Sequence, residues 1–448
     1  MWYEDKIMRT LRCRTIQKPG ALGRLLTTVG DQGGLTGEIK TISQTADHVV
    51  RDIVVFADDE AHLGRIIQAV RAFPEAELLE IRDEVMEMHQ GGKIAIRSRY
   101  EINTVNDLRR VYTPGVAEIS LKIKKDPRLA RRFTAIRHMV AIVTDGSAVL
   151  GLGDIGPLAA MPVMEGKASL MESLSGLSGV PILLDTKDPA AIIETVVNIA
   201  PTFSAIQLED ISAPRCFEIE EKIQARVSIP VMHDDQHGTA VVVTAALMNA
   251  SRMIGTSLKL CKIGQVGLGA AGLAISKMLI NLTGQPVLGA DLSPEAVQRL
   301  VAAGGKGSNL AEIMATCDVV VATTGAPGLI KPQMVRKGQI ILALSNPNPE
   351  IEPAKAREAG AAFAADGKLV NNVLGFPGIF RGAVDANVPR ITREMLLAAA
   401  RAIAEATPAG EVVPNPLEKS VHRKVAQAVA KAALEEGLNR DDLTGYFD

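Results

Sequence analysis

Hydrophobic residues along the first ninety positions switch repeatedly between two spacings. Residues 8–16 read as a strand, Lys18-Pro19-Gly20 as a turn, and residues 21–29 as a helix with apolar positions at Leu22, Leu25, Leu26 and Val29. Gly30 and Gly33-Gly34 stop that helix. Residues 35–43 and 48–57 are predicted strands around the polar turn Thr45-Ala46-Asp47, followed by a helix over 60–73 and a last strand over 76–87. The order βαββαβ predicts a ferredoxin-like unit, with Gln90-Gly91-Gly92-Lys93 as the linker.

From about residue 94 short apolar strands alternate with helices, the pattern of an α/β fold. Strand 140–144 runs into Asp145 and 181–184 into Asp185. Strand 203–208 runs into Glu209-Asp210, and 227–232 into His233-Asp234-Asp235. Open parallel sheets bind ligands at the carboxyl ends of their strands. One acidic residue there is ordinary helix capping; repeated carboxylates, two of them doubled, point to a site. A helix over 239–255 leads to a second α/β unit over 256–380. An Ala-rich helical tail over 390–440 is broken by Thr407-Pro408 and Pro414-Asn415-Pro416. The expected domains are 1–90, 91–250 for substrate and metal, 251–385 for a dinucleotide, and 386–448, helices packing back on the substrate domain. No internal repeat is evident.

Composition narrows the classes. The 448 residues carry 49 Lys+Arg against 51 Asp+Glu, which removes any compositional case for nucleic acid or an anionic membrane surface. Aromatics at 3% argue against base-stacking platforms. Cys13, Cys216, Cys261 and Cys317 are dispersed without a CxxC pair, so neither a disulfide framework nor a thiolate zinc site is expected. Charges near the N-terminus exclude a signal-peptide pattern, and no charge-free apolar run reaches the ~18 residues of a membrane span. A reducing, cytoplasmic setting is expected.

The GxGxxG pattern occurs twice, at 151–156 and at Gly267, Leu268, Gly269, Ala270, Ala271, Gly272. Pro157 and Pro162 disfavour a helix directly after the first. The second has a strand over 260–266 before it and the helix-forming run LAISKMLI after it, so it is the predicted Rossmann turn. A strand over 286–290 then ends in Asp291, 19 residues beyond Gly272, where an acidic side chain holds the ribose 2′-hydroxyl and repels a 2′-phosphate. NAD is thereby favoured over NADP. The plainer alternative is an Asp capping the helix at Ser293-Pro294.

Glu209, Asp210 and Asp235 offer hard oxygen ligands that suit Mg²⁺ or Mn²⁺. A zinc reading of His233 and His237, four apart on one helix face, lacks the HExxH glutamate and is disfavoured. Lys167, in Met164-Glu165-Gly166-Lys167 just inside a helix, is a solvated lysine unless it lies near a metal and partly desolvated, where its pKa could fall toward neutrality and make it a general base. Tyr112 stands in a turn before Thr113-Pro114-Gly115. Asn346 and Asn371-Asn372 follow strands of the second unit, where turn-forming Asn is the plainer reading.

Together these residues resemble the malic enzyme family in its compact bacterial form, over residues 95–440. The resemblance rests on YTPGVA from Tyr112, GLGDIGP from Gly151, EGKA around Lys167, LED at 208–210, HDDQHGTA at 233–240, the Rossmann turn, ALSNP, and NNVLGFPGIFRGA. It implies oxidative decarboxylation of L-malate to pyruvate and CO₂ with NAD and a divalent metal held by Glu209, Asp210 and Asp235. It further implies Lys167 as the base tuned by Asp234, Tyr112 as the acid for the enolate carbon, and Asn346 and Asn372 in contact with substrate or nicotinamide. Larger family members carry a substrate-binding arginine before the GLGD segment. Here that stretch, Gly146-Ser147-Ala148-Val149-Leu150, has none, leaving backbone amides near 113–115 or a second subunit to hold the other carboxylate.

The N-terminal unit resembles an ACT domain through Lys18-Pro19-Gly20-Ala21-Leu22 and Gly33-Gly34, which implies sensing of an amino acid or small metabolite and self-association into a homodimer or higher oligomer. A purely dimerising module is the equal alternative. Two other functions fit the same scaffold: a metal-dependent oxaloacetate decarboxylase, and a sensor without turnover.

Overall fold

The computed structural model describes residues 6–149 and 151–447. The charged first residues and Leu150 of the arginine-free stretch lie outside them. The chain divides at Ala95/Ile96 into two compact units.

The first unit runs β1 (Ile7–Ile16), α1 (Ala21–Asp31), β2 (Leu35–Gln44), β3 (His48–Ala57), α2 (Glu60–Ala72), β4 (Ala76–Arg82) and α3 (Glu84–His89). Its sheet has the order β2-β3-β1-β4 with every neighbour antiparallel. Leu11, Cys13, Ile53 and Val55 bury against Leu25, Val29, Ile66 and Val70 of the two helices. The strand expected over 76–87 stops at Arg82. The Asp83 side chain accepts the Met86 N–H and starts α3, a cap that a β-like run of apolar residues conceals.

The second unit opens with α4 (Val105–Val111), α5 (Gly115–Lys125) and α6 (Leu129–Phe133), which bury no side chain. There follow β5 (Met139–Thr144), α7 (Gly156–Ser175), β6 (Ser178–Leu183), α8 (Pro189–Ile199), β7 (Ala205–Leu208), α9 (Arg215–Gln224), β8 (Val231–His233) and α10 (Asp234–Met253). The four strands form a parallel sheet of order β6-β5-β7-β8. Then come β9 (Ile263–Val266), α11 (Ala270–Thr283), β10 (Leu288–Ala290), α12 (Pro294–Ala302), β11 (Lys306–Gly307), α13 (Leu310–Thr316), β12 (Val319–Ala322), β13 (Ile340–Ala343), α14 (Pro353–Glu358) and β14 (Phe363–Asp366). Their parallel sheet, β11-β10-β9-β12-β13-β14, has the doubly wound order of dinucleotide-binding folds. Finally α15 (Phe376–Asp385), α16 (Arg393–Ala406) and α17 (Lys419–Glu435) pack on one another, and α15 and α17 also pack on α7. One core links Val140 and Met171 of the first sheet layer, Val319 and Ile340 of the second, and Phe380, Val425 and Val429 of the tail. Among the described residues no helix is long and apolar enough to cross a membrane.

Two local expectations change. A helix does run on from the first glycine motif. Pro157 lies in the first turn of α7, where a missing N–H leaves nothing unpaired, and Pro162 is carried inside the helix. What separates the two motifs is the preceding segment: Gly267 directly follows β9, whereas Gly151 lies in a loop bridged by Val149 and Gly153. The helix expected over 239–255 begins at Asp234, so Asp234 and Asp235 occupy its first turn, where the helix dipole favours negative charge.

Candidate active site

Three elements converge on one site. β7 delivers Glu209 and Asp210, the first turn of α10 delivers Asp234 and Asp235, and α7 delivers Lys167 from the middle of its 20 residues rather than from its start. Lys167 Nζ donates to Asp234 Oδ2 at 2.5 Å, lies 3.0 Å from Glu209 Oε1, and sits 4.6 Å from the centre of the Phe376 ring. One carboxylate oxygen each from Glu209, Asp210 and Asp235 falls within 4.8 Å of the others. Asp210 has a left-handed backbone (φ 55), which points its N–H at Asp235 Oδ2, 2.9 Å away. Gly238 is required here: a Cβ on it would stand 1.8 Å from Asp234 Oδ1.

The electrostatics are those of crowded, dry carboxylates. Burial, reinforced by Asp235, pushes Asp210 up to about 7. Burial also raises Glu209 and Asp234, against the pull of Lys167. Burial disfavours the Lys167 cation, but Asp234, Glu209 and Asp235 together outweigh it and hold the lysine above its ordinary value. The fall toward neutrality expected for this lysine is therefore absent while three carboxylates face it alone. Asp210 Oδ2 and Asp234 Oδ1 are buried without a hydrogen-bond partner. Buried unpaired oxygens in an all-oxygen cluster fit a hard divalent cation.

Several supporting residues carry no sequence signal of their own. Glu220 is buried in α9 and accepts from the His233 N–H at 2.8 Å, Gln236 Nε2 at 3.1 Å and His237 Nε2 at 3.0 Å, tying α9 to the start of α10. Its charge raises His237 against burial, and His237 in turn keeps Glu220 below the usual carboxylate range despite burial. Gln207 donates to Glu209 at 2.6 Å. Asp145 is taken up by Arg215 at 2.6 Å and by the Ser147 hydroxyl at 2.6 Å, so it braces the loop and is spent as a ligand. His233 precedes α10 as its N-cap and is buried, so His233 and His237 do not share a helix face.

A cleft of about 780 Å³ opens beside the cluster, and its lining joins Asp235 to Ala271 of the second glycine turn, Thr323, Asn346, Asn371 and Asn372. In that turn the Gly267 N–H donates to Ala290 O, and a Cβ on Gly272 would lie 1.9 Å from Gly267 O. Asp291 follows β10 and accepts from the Leu268 N–H at 2.6 Å and the Ser293 N–H at 2.8 Å. The N-cap of α12 is Ser293, whose hydroxyl accepts the Ala296 N–H, so Asp291 does not cap that helix and instead ties the glycine turn to the loop before it. Asn371 accepts from the Val373 N–H at 3.0 Å and caps a short 3₁₀ turn, which leaves Asn372 the freer of the pair. Tyr112 is not brought to this cleft. It ends α4, is 67% exposed, and lies among helices with no buried side chain.

The malic enzyme N-terminal domain matches residues 92–192, and the malic enzyme NAD-binding domain matches residues 364–434. The NAD-dependent malic enzyme 1 of Bacillus subtilis is 54% identical, over 96% of this chain and 98% of its own. The chain belongs to the malic enzyme family. The NAD-dependent malic enzyme of Geobacillus stearothermophilus is 42% identical over 93% of this chain and 92% of its own. Among solved structures, the malic enzyme of Pyrococcus horikoshii is 37% identical, with a TM-score of 0.75 over 80% of this chain and 92% of its own. The family's N-terminal domain match starts at 92, close to the boundary between the two units.

Proposed function

We propose that this chain catalyses L-malate + NAD⁺ → pyruvate + CO₂ + NADH, with a divalent cation held by Glu209, Asp210 and Asp235. The observation that carries this reading is Lys167 clasped by Asp234 and Glu209 beside a cleft that Asp235 of the same cluster and Ala271 of the dinucleotide turn both line. Residues 91–250 serve substrate and metal, 251–385 the dinucleotide, and the helices of 386–448 pack back on the substrate domain.

Mg²⁺ or Mn²⁺ bound there would polarise the substrate's oxygens and draw off electron density as CO₂ leaves. With Glu209 and Asp235 so engaged, two of the charges that hold Lys167 protonated are spent, and its Nζ becomes able to take the C2 hydroxyl proton. Asp234 keeps that nitrogen aimed into the cleft, while Phe376 covers it from water. A nicotinamide held in the cleft beside Asn346 and Asn372 would accept the hydride from C2. Tyr112 supplies the proton that converts the enolate carbon to a methyl group. Its exposure, beside exposed Val105, Leu108, Val111, Val116 and Leu121, fits delivery into the cleft of a second copy, with the apolar face covered in a homodimer.

The first unit we read as a ferredoxin-like, ACT-like module. A cavity of about 500 Å³ beside the start of α1, lined by Thr15, Lys18, Gly20, Gln44 and Arg51, offers backbone N–H groups and cations for the carboxylate of an amino acid or small metabolite. A cytoplasmic setting fits four free, buried cysteines.

Absorbance at the reduced-nicotinamide band tests the reaction. NADH and pyruvate are expected in equal amounts from L-malate, NAD and Mn²⁺, and neither is expected in EDTA. CO₂ from oxaloacetate without NADH from malate would make the chain a decarboxylase, and silence across a panel of amino-acid activators would make it a sensor. Asp291→Ala is expected to narrow the ratio of kcat/KM for NAD over NADP by roughly tenfold or more, as one charge contact opposite a 2′-phosphate is lost. An unchanged ratio would remove Asp291 from cofactor choice.

A further inference from the structure

We propose that the cavity between α9, α10, α11 and α16 is a binding site for a small organic anion with one carboxylate head and an apolar body, separate from the catalytic cleft. The cavity measures about 280 Å³ and shares no lining residue with that cleft. Its size, near the lower end of ligand pockets, restricts the occupant to a small molecule.

The chemistry of the lining sets the class. Phe217, Met278, Leu396 and Leu397 make apolar walls. On the floor the carboxylate of Glu220 is already committed to the His233 N–H, Gln236 and His237, so it is closed to a further cation. Lys277 and Arg393 line the same cavity, and among the described residues neither side chain has a hydrogen bond or an ion pair. The two disfavour one another: partial desolvation of the otherwise exposed side chain, with Arg393 next in effect, lowers Lys277 below its ordinary value. Glu220 and Glu221 oppose that effect more weakly: Glu220 is engaged by His237, and Glu221 forms no ion pair with either cation, so neither cation has a carboxylate partner. Two mutually repelling cations above an apolar pocket are relieved by an anion whose tail fills the pocket. A neutral ligand would leave the repulsion in place, and a cation would add to it.

Hexanoate is a suitable probe, with hexan-1-ol and hexylammonium as controls of the same body. Calorimetric titration of the full chain is expected to show one saturable hexanoate site per chain and no saturable binding of either control. In Lys277→Ala/Arg393→Ala, whose altered residues lie on the surface, hexanoate is expected to bind roughly tenfold or more weakly. In Lys277→Glu/Arg393→Glu the preference is expected to reverse toward hexylammonium. A change confined to general loss of binding, with a melting curve unlike the parent's, would be resolved by this reversed variant, which gains a ligand only if it folds. Absence of saturable hexanoate binding overturns the site. So does undiminished binding in the alanine variant, which would place the probe in the catalytic cleft, and so does a failure of the reversed variant to prefer the cation.

Discussion

Lys167→Ala is expected to lower kcat for malate oxidation by roughly 10²–10⁴-fold, the usual contribution of a positioned proton-transfer group. KM for malate is expected to change far less, because the carboxylates of the cluster remain. Lys167→Arg should not rescue turnover: a guanidinium keeps the charge between Asp234 and Glu209 but does not give up its proton at working pH. The pair of variants thus separates a base from a mere counter-ion in the carboxylate cluster. Near-normal kcat in the arginine variant would leave Lys167 as a structural cation. Tyr112 extends the same experiment. Tyr112→Phe should be inactive in pyruvate formation, and if the tyrosine acts in the neighbouring copy, mixing the two inactive variants restores one intact site in each mixed dimer. That is about a quarter of parental activity for equal, random pairing. No recovery after exchange of subunits would assign Tyr112 to its own chain.

How much of this was legible in the sequence depends on what kind of interaction places each residue. Periodicity located β1 to β4 because each strand's inward face is fixed by local alternation, and Leu11, Ile53 and Val55 do face the helices. Charge doubling at strand ends marked Glu209, Asp210 and Asp235, which the folded sheet brings together. Glu220 was invisible for the opposite reason. It shares α9 with Glu218 and Glu221, and nothing local says which of the three carboxylates is buried; only the packing of α9 against the start of α10 selects it. Phe376 and Gln207 likewise gain their roles from elements distant in sequence. Asp83 and Pro157 misled at helix starts, where a single cap or a proline without a needed N–H overrides the pattern on either side. Tyr112 belongs to a motif but lies on a surface that buries nothing within this chain.

Asp210→Asn is expected to make the metal-free protein more stable at neutral pH while abolishing catalysis. An Asp in an unfolded chain titrates near ~3.9, whereas burial and Asp235 raise Asp210 to about 7 in the folded protein. The folded state therefore holds a proton that the unfolded state has released. The associated stability is fully present below the unfolded value and is lost as pH rises from about 4 to about 7. Glu209 and Asp234, also raised by burial, act in the same direction. In EDTA the parent's melting temperature should accordingly fall across this window, and the variant's should fall less and lie higher at pH 7.5. Mn²⁺ reverses the sign for the parent alone. It binds the deprotonated carboxylates, so its stabilisation grows with pH, reaching about 2.7 kcal/mol when free metal is a hundredfold above its Kd. The variant, with one ligand replaced by a neutral amide, should gain little from the metal. Thermal melts of parent and variant at pH 5.5 and 7.5, with EDTA and with Mn²⁺, measure all of these effects together. If the parent melts at the same temperature at both pH values in EDTA, or if the variant gains as much from Mn²⁺ as the parent does, Asp210 is neither the strained carboxylate nor the ligand. A cluster that costs stability when empty and repays it when filled is what a site shaped for a cation, rather than for the fold, produces.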